Sequence, residues 1–241
     1  MTGQAWALDE LAWTDVRKKL DRDPRLIVPI GALEQHGPHL PLGTNLHIAN
    51  HVARAVSERL GVLRAPPFSY GATNGGGPYP GSAGVRRKTL HRAVNELLAQ
   101  WEDDGVRAFI IITAQRYEPH LEALLMALTG GAVSSIYDLY QVDVSDILEG
   151  DPRQEHAGEM ETSLMLHLAP TLVHRDRFAD FLPDRQALRK YTRRRAPTPP
   201  RDSRGVLGAP SRASSDKGKA IFERLVSALC ATITHGDGDS E

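Results

Sequence analysis

Cysteine is almost missing from this chain: Cys230 is the single one among 241 residues. One cysteine cannot close an intramolecular disulfide, and it excludes zinc sites built on thiolates. It fits a reducing compartment. Long hydrophobic runs are missing too. No apolar stretch approaches the roughly 18 residues of a membrane span, so no transmembrane helix and no membrane partner are expected. The opening MTGQAWALDELAWTDVRKKL has no basic segment followed by an apolar one, so no signal peptide is expected and the cytoplasm is the expected home. Neither sign of charge dominates. The 29 Lys and Arg stand against 30 Asp and Glu, which gives no global pull toward nucleic acid. Two motif-like stretches also lack what they need. HIANH (47–51) spaces two histidines as a zinc protease helix does, but Ile48 stands where the general-base Glu belongs. GGG (75–77) is not followed by the Gly-Lys-Ser/Thr of a phosphate loop.

What is present is the composition of a soluble globular chain, 41% hydrophobic and 24% charged, long enough to bury a full core without staples. RLIVPIG (25–31), VRAFIIITA (106–114) and AVSSIYDLYQVD (132–143) read as strands, and VLRAPPFSY (62–70) as a strand running into a loop. Between and after them, 45–61, 88–105, 119–131 and 159–170 read as helices. Leu90, Val94, Leu97, Leu98 and Trp101 form one stripe of the second. Gly61 and the glycines at 130 and 131 are the expected stops. This alternation predicts one three-layer α/β domain over 1–241 with a mainly parallel sheet. Residues 72–84 read as a Gly/Pro loop. Residues 185–204 carry eight basic residues against one acidic, Asp202. They read as a solvated Pro-rich loop, or as an anion-binding or subunit-contact loop. The tail HGDGDSE is expected to fray.

Three loops carry the chemistry, and in this type of sheet such loops gather at the carboxyl ends of strands. EQHGPHLPLGTN (34–45) offers Glu34, His36 and His39. A carboxylate and an imidazole two residues apart share a side only in extended chain. That suits one or two metals, or simply a hydrogen-bonded strand end. AQRYEPH (114–120) offers Arg116, Glu118 and His120, or an Arg–Glu pair capping the sheet edge. QEHAGEMETS (154–163) offers Glu155, His156, Glu159 and Glu161. His156 among three carboxylates is the better candidate acid or base, since their charge is expected to raise its pKa.

Taken together and in order, PIGALEQHGPHLPLGTN, YGATNGGGPYPGS, FIIITAQRYEPH, EHAGEMETS and SRGVLGAPSRASSDKGKAIFERL resemble the creatininase (creatinine amidohydrolase) family. The resemblance runs from about residue 25 to 229. It implies an α/β/α sandwich, a homo-oligomer (a hexamer in the founding enzyme), and hydrolysis of amide-type C–N bonds in small molecules or a short peptide by a two-metal centre.

Carried over residue by residue, the resemblance meets departures. Glu34 and His36 are kept, but the bridging Asp is Asn45. Arg116 stands where a ligand His belongs, and Gly76 stands where the Gly-rich loop often carries a His. Glu118 matches the carboxylate of the second metal, and His156 and Glu161 match residues near the substrate. One metal would need Glu34, Asn45 and Arg116, and a guanidinium cannot ligate. Arg116 is expected to take that metal's place and pair with Glu34 and Glu118. The other metal would need His36, Asn45 and Glu118. The expected cofactor is therefore none, the alternative a single Zn or Mn ion. The expected catalytic set is Glu34, His36, Glu118, His156 and Glu161, and the expected substrate contacts are Arg116, Asn45, Tyr117 and Tyr79. The resemblance thus implies an enzyme acting on a C–N bond of a small molecule without two metals. A one-metal amidohydrolase and a non-catalytic homologue that binds a small molecule or a partner subunit are the alternatives.

Overall fold

The run RLIVPI is apolar after its first residue because both of its faces are buried. In the computed structural model, which describes residues 6–75, 77–127, 129–151, 155–191 and 198–236, four strands form one sheet. They are β1 (Arg25–Ile30), β2 (Leu63–Arg64), β3 (Ala108–Thr113) and β4 (Val133–Asp138). Their order is β2-β1-β3-β4 and every pairing is parallel. Alternate side chains leave opposite faces of a strand. Ile27, Ile110 and Ile112 enter one core, and Leu26, Val28, Ile30, Phe109 and Ile111 the other. The first core is covered by α2 (Thr44–Leu60), α5 (Glu159–Leu168) and α7 (Ser215–Gly236). The second is covered by α1 (Trp13–Leu20), α3 (Arg87–Asp103) and α4 (Glu118–Leu125). This is the α/β/α sandwich expected from the sequence.

Several boundaries differ from expectation. α2 stops where expected, with Gly61 left-handed at φ +68°. α4 stops at Leu125, short of the glycines expected to end it. Gly130 and Ala132 instead donate their N–H groups to the Glu102 carboxylate at the end of α3, 2.7 and 2.8 Å away. β4 stops at Asp138, whose side chain accepts the Tyr140 N–H and starts a 3₁₀ turn over Leu139–Gln141. The basic segment opens as a helix, α6 (Arg185–Tyr191), because Asp184 caps it by accepting the N–H groups of Gln186 and Ala187, both at 2.8 Å. Gly76, residues 192–197 of the basic segment and most of the C-terminal tail lie outside the described residues.

The strand order fixes where a ligand belongs. The chain steps from β1 to one side for β2 and to the other for β3, so the carboxyl ends of β1 and β3 mark the switch point of the sheet. The loops that follow these two strands carry Glu34, His36 and Arg116.

Candidate active site

Beyond β1 the chain passes Gly31, where a side chain would lie 2.5 Å from the Leu46 Cα. That close approach brings the start of α2 against the strand end. The Glu34 N–H donates to the Leu42 carbonyl at 2.9 Å, folding the loop back on itself. Asn45, in the first turn of α2, thereby meets His36, with Oδ1 3.0 Å from Nε2. The other ring nitrogen of His36 lies 2.9 Å from the Glu34 carbonyl. A carbonyl only accepts, so Nδ1 carries a proton.

The loop after β3 divides its residues among different tasks. Gln115 donates to the Glu34 carboxylate at 2.9 Å. Arg116 is buried, with Nη1 donating to the Glu155 carbonyl at 3.2 Å and its guanidinium 3.9 Å above the Tyr140 ring. Its Nε has no hydrogen-bond partner among the described residues. The expected pairing of Arg116 with Glu34 and Glu118 is not made: Gln115 holds Glu34, and the guanidinium turns toward β4 and the start of α5. Glu118 opens α4 half-buried and is not one of the residues grouped with the histidines. The Tyr117 ring packs on the α3-side core. His120 is structural. The Ala72 N–H donates to its Nδ1 at 3.2 Å, its Nε2 lies 3.1 Å from the Thr113 hydroxyl, and burial lowers its pKa to about 4.

The third loop supplies the rest. His156 exchanges backbone hydrogen bonds with Leu207, both 2.8 Å. Its Nε2 lies 2.8 Å from the Gln35 carbonyl, and its ring centre is 4.6 Å from that of His36, the two planes tilted by 40°. The carboxylates were expected to raise the His156 pKa; burial, reinforced by His36, lowers it instead. Glu161 accepts the Ala157 N–H at 2.6 Å on one oxygen and the Tyr140 hydroxyl on the other. Ala157 sits left-handed at φ +53°, a conformation costing an alanine roughly 1 kcal/mol, and this aims its N–H at Glu161. Burial pushes Glu161 up, but His36, His156 and Arg116 outweigh it and hold the carboxyl at about 2. Burial and the adjacent carboxylate push the Tyr140 hydroxyl well up. Burial also raises Glu155 to about 7.

Two loop residues serve the scaffold. Glu159 accepts from Lys217 at 2.5 Å and ties α5 to α7. His39 lies behind the site with Nε2 3.0 Å from the Thr162 hydroxyl, and burial lowers it to about 4. In front, a cavity of about 120 Å³ is lined by Glu34, Gln35, Asn74, Tyr79, Thr198 and Pro199. Tyr79 closes its rim by donating to the Pro200 carbonyl at 3.1 Å. Tyr140, Gln35 and Gln115 escaped the sequence reading. Tyr140 had one usable signal: it follows β4 at the sheet edge shared by the other loops.

Among the described residues, one group is arranged to hold a metal: His36, His156 and Glu161, all buried, with ligand atoms within 4.8 Å of one another. The dinuclear pattern does not fit. Asn45 is neutral, Arg116 has no lone pair to give, and Glu118 is not in the group. The expectation of no cofactor finds no support in a buried His–His–Glu cluster.

The family model described as Creatinine amidohydrolase matches residues 9–233. Creatinine amidohydrolase of Pseudomonas putida is 29% identical over 252 residues, covering 93% of this chain and 94% of that protein. The mycofactocin precursor peptide peptidase of Mycobacterium ulcerans is 30% identical over 223 residues, 84% of this chain and 82% of its own. A solved mutant creatininase of the Zn–Zn type superposes with a TM-score of 0.80 at 24% identity, covering 97% and 98% of the two chains.

Proposed function

The chain belongs to the creatininase family, and from that premise we propose that it is an enzyme hydrolysing an amide-type C–N bond of a small molecule with one divalent ion, Zn or Mn, in place of two. One observation carries the reading. Glu34 lines the cavity at the switch point, while His36, His156 and Glu161 sit buried beside it. Gln35, which lines the cavity and contacts His156, joins the proton-handling group to the ligand-type groups behind it. The names of the Pseudomonas and Mycobacterium relatives both denote cleavage of an amide-type bond, which supports the reaction class.

The chain's own residues then divide the work. Gln115 fixes one oxygen of Glu34, which leaves the other to take a proton from water or substrate in the cavity. Arg116 supplies a permanent positive charge for a substrate carboxylate or a developing oxyanion. Tyr79 sets the rim. A divalent ion, when bound, supplies a more acidic water and polarises the scissile carbonyl.

The same reading includes assembly with further copies of this chain, hexameric as in the founding enzyme. Leu125, Met126 and Val133, exposed around the α4–β4 connection, offer apolar surface for it. No helix among the described residues is long and apolar enough to cross a membrane.

The test is elemental mass spectrometry on the untagged protein after dialysis against trace zinc and manganese, alongside release of amine from a panel of small cyclic and acyclic amides. One ion per chain and chelator-sensitive turnover are expected. Two ions per chain would restore the conventional centre, and none would leave metal-free chemistry.

A further inference from the structure

We propose that the ion is held by His36, His156 and Glu161, a site displaced from the His36–Asn45–Glu118 set that the family resemblance carries over. The inference rests on the one-ion reading above and names the atoms that make it.

The first ground is placement. Ligands of one zinc-like ion, each about 2.1 Å from it, stand roughly 3–4 Å apart. His36 Nε2 and Glu161 Oε1 are 3.9 Å apart, and the third ligand atom, from His156, lies within 4.8 Å of both. All three side chains are buried. Two imidazoles and one carboxylate suit zinc and the neighbouring transition metals.

The second ground is proton bookkeeping. Metal-ligating histidines commonly donate their far N–H to a backbone carbonyl, which fixes the tautomer and the ring. Both histidines have such a partner: Glu34 O for His36 Nδ1, and Gln35 O for His156 Nε2. The Gln35 amide nitrogen also comes 3.0 Å from His156 Nε2 and donates to the Gly205 carbonyl, but the Gln35 backbone carbonyl is nearer, at 2.8 Å, and can only accept, which puts the proton on Nε2. With Nε2 protonated, His156 is left with the lone pair on Nδ1. His36 Nε2 faces Asn45 Oδ1 at 3.0 Å and the Glu161 carboxylate, acceptors both. Acceptors converging on one point call for a positive centre between them.

The third ground is rigidity and charge. Glu161 is held by the Ala157 N–H and the Tyr140 hydroxyl, and Ala157 keeps a strained backbone to do so. Asn45 then makes sense as a neutral oxygen beside an ion already served by one carboxylate. Glu118 is left at the mouth of α4, outside the cluster. Arg116, with its fixed charge close to the same pocket, disfavours a second ion.

The experiment uses cobalt(II) as the probe. The metal-stripped full chain is titrated with Co²⁺, following the visible ligand-field absorption. One equivalent is expected. His156→Ala and Glu161→Gln should weaken binding at least 100-fold, and Glu118→Gln should change it less than threefold. X-ray absorption at cobalt in the unaltered protein should count two imidazoles per ion, which keeps the test decisive even where a variant does not fold. One imidazole, with binding lost in Glu118→Gln and kept in His156→Ala, would overturn the displaced site and leave the one-ion reading standing. No cobalt, zinc or manganese binding by the unaltered chain would overturn both.

Discussion

Acid should weaken this fold through a residue that does no chemistry. His120 is fully buried between the β3 end and the Gly71–Ala72 backbone, and its pKa falls from 6.5 to about 4 by burial. In the unfolded chain the imidazole takes up its proton near 6.5, while the folded protein refuses it until near 4. The unfolded state therefore binds more protons across that interval, and stability falls as the pH falls. At about 1.4 kcal/mol per pH unit, the drop is worth about 3 kcal/mol, spent between pH 6.5 and 4 and absent above 7. Urea unfolding at half-unit steps from pH 7.5 to 4, with chelator present so that metal ligands do not contribute, measures it. His120→Gln should be less stable at pH 7.5, since it loses the pairing with the Ala72 N–H and the Thr113 hydroxyl. It should also lose about 3 kcal/mol less than the unaltered protein over the acid range. His39, lowered to about 4 in the same way, should keep its own share of the slope in both proteins. Parallel stability curves for the two proteins would refute the reasoning.

Other expectations follow from single contacts. Arg116→Met should lower kcat/KM on carboxylate-bearing substrates by about 10²-fold and on uncharged analogues far less, read from paired steady-state kinetics. Gly71→Ala places a Cβ 2.3 Å from the Gly31 carbonyl and 2.5 Å from the His120 ring, and should cost about 2 kcal/mol or more in thermal unfolding. Ala157→Val puts a β-branched residue at φ +53° in a fully buried position, and should destabilise by about 1–3 kcal/mol on urea titration. Tyr140→Phe removes the hydroxyl from Glu161 at a cost of about 1–3 kcal/mol, and calorimetry should find the fold otherwise intact.

The layers of this fold were legible because β1 and β3 are apolar on both faces and α2 and α3 keep their stripes. The ends were less so. The glycines after α4 resemble a helix stop, yet Glu102 on a distant helix claims their backbone, a partner no local pattern reveals. α6 hid in a stretch whose prolines and arginines suggested only loop, although its first seven residues are ordinary helix formers behind an Asp cap. At the site, the structure brings His36, His156 and Glu161 of the dense loops together and leaves Glu118 outside that group. Spacing could not say which way Arg116 turns. That depends on Tyr140 offering a ring face and Glu155 a carbonyl, both supplied by other segments. Nor could charge counting give the sign of the His156 shift, because burial outweighs the nearby carboxylates.

The sheet pairs β1 with β3 across two intervening helices, and every pairing in it joins strands that are far apart in the chain. Such contacts form late, since long loops must close before they reward the chain. During synthesis, Glu34 and His36 leave the ribosome well before Tyr140, His156 and Glu161 exist. A nascent chain thus holds His36 with neither partner of its cluster to face it. The cluster comes into being only when α5 docks against the sheet, so any ion waits for that step.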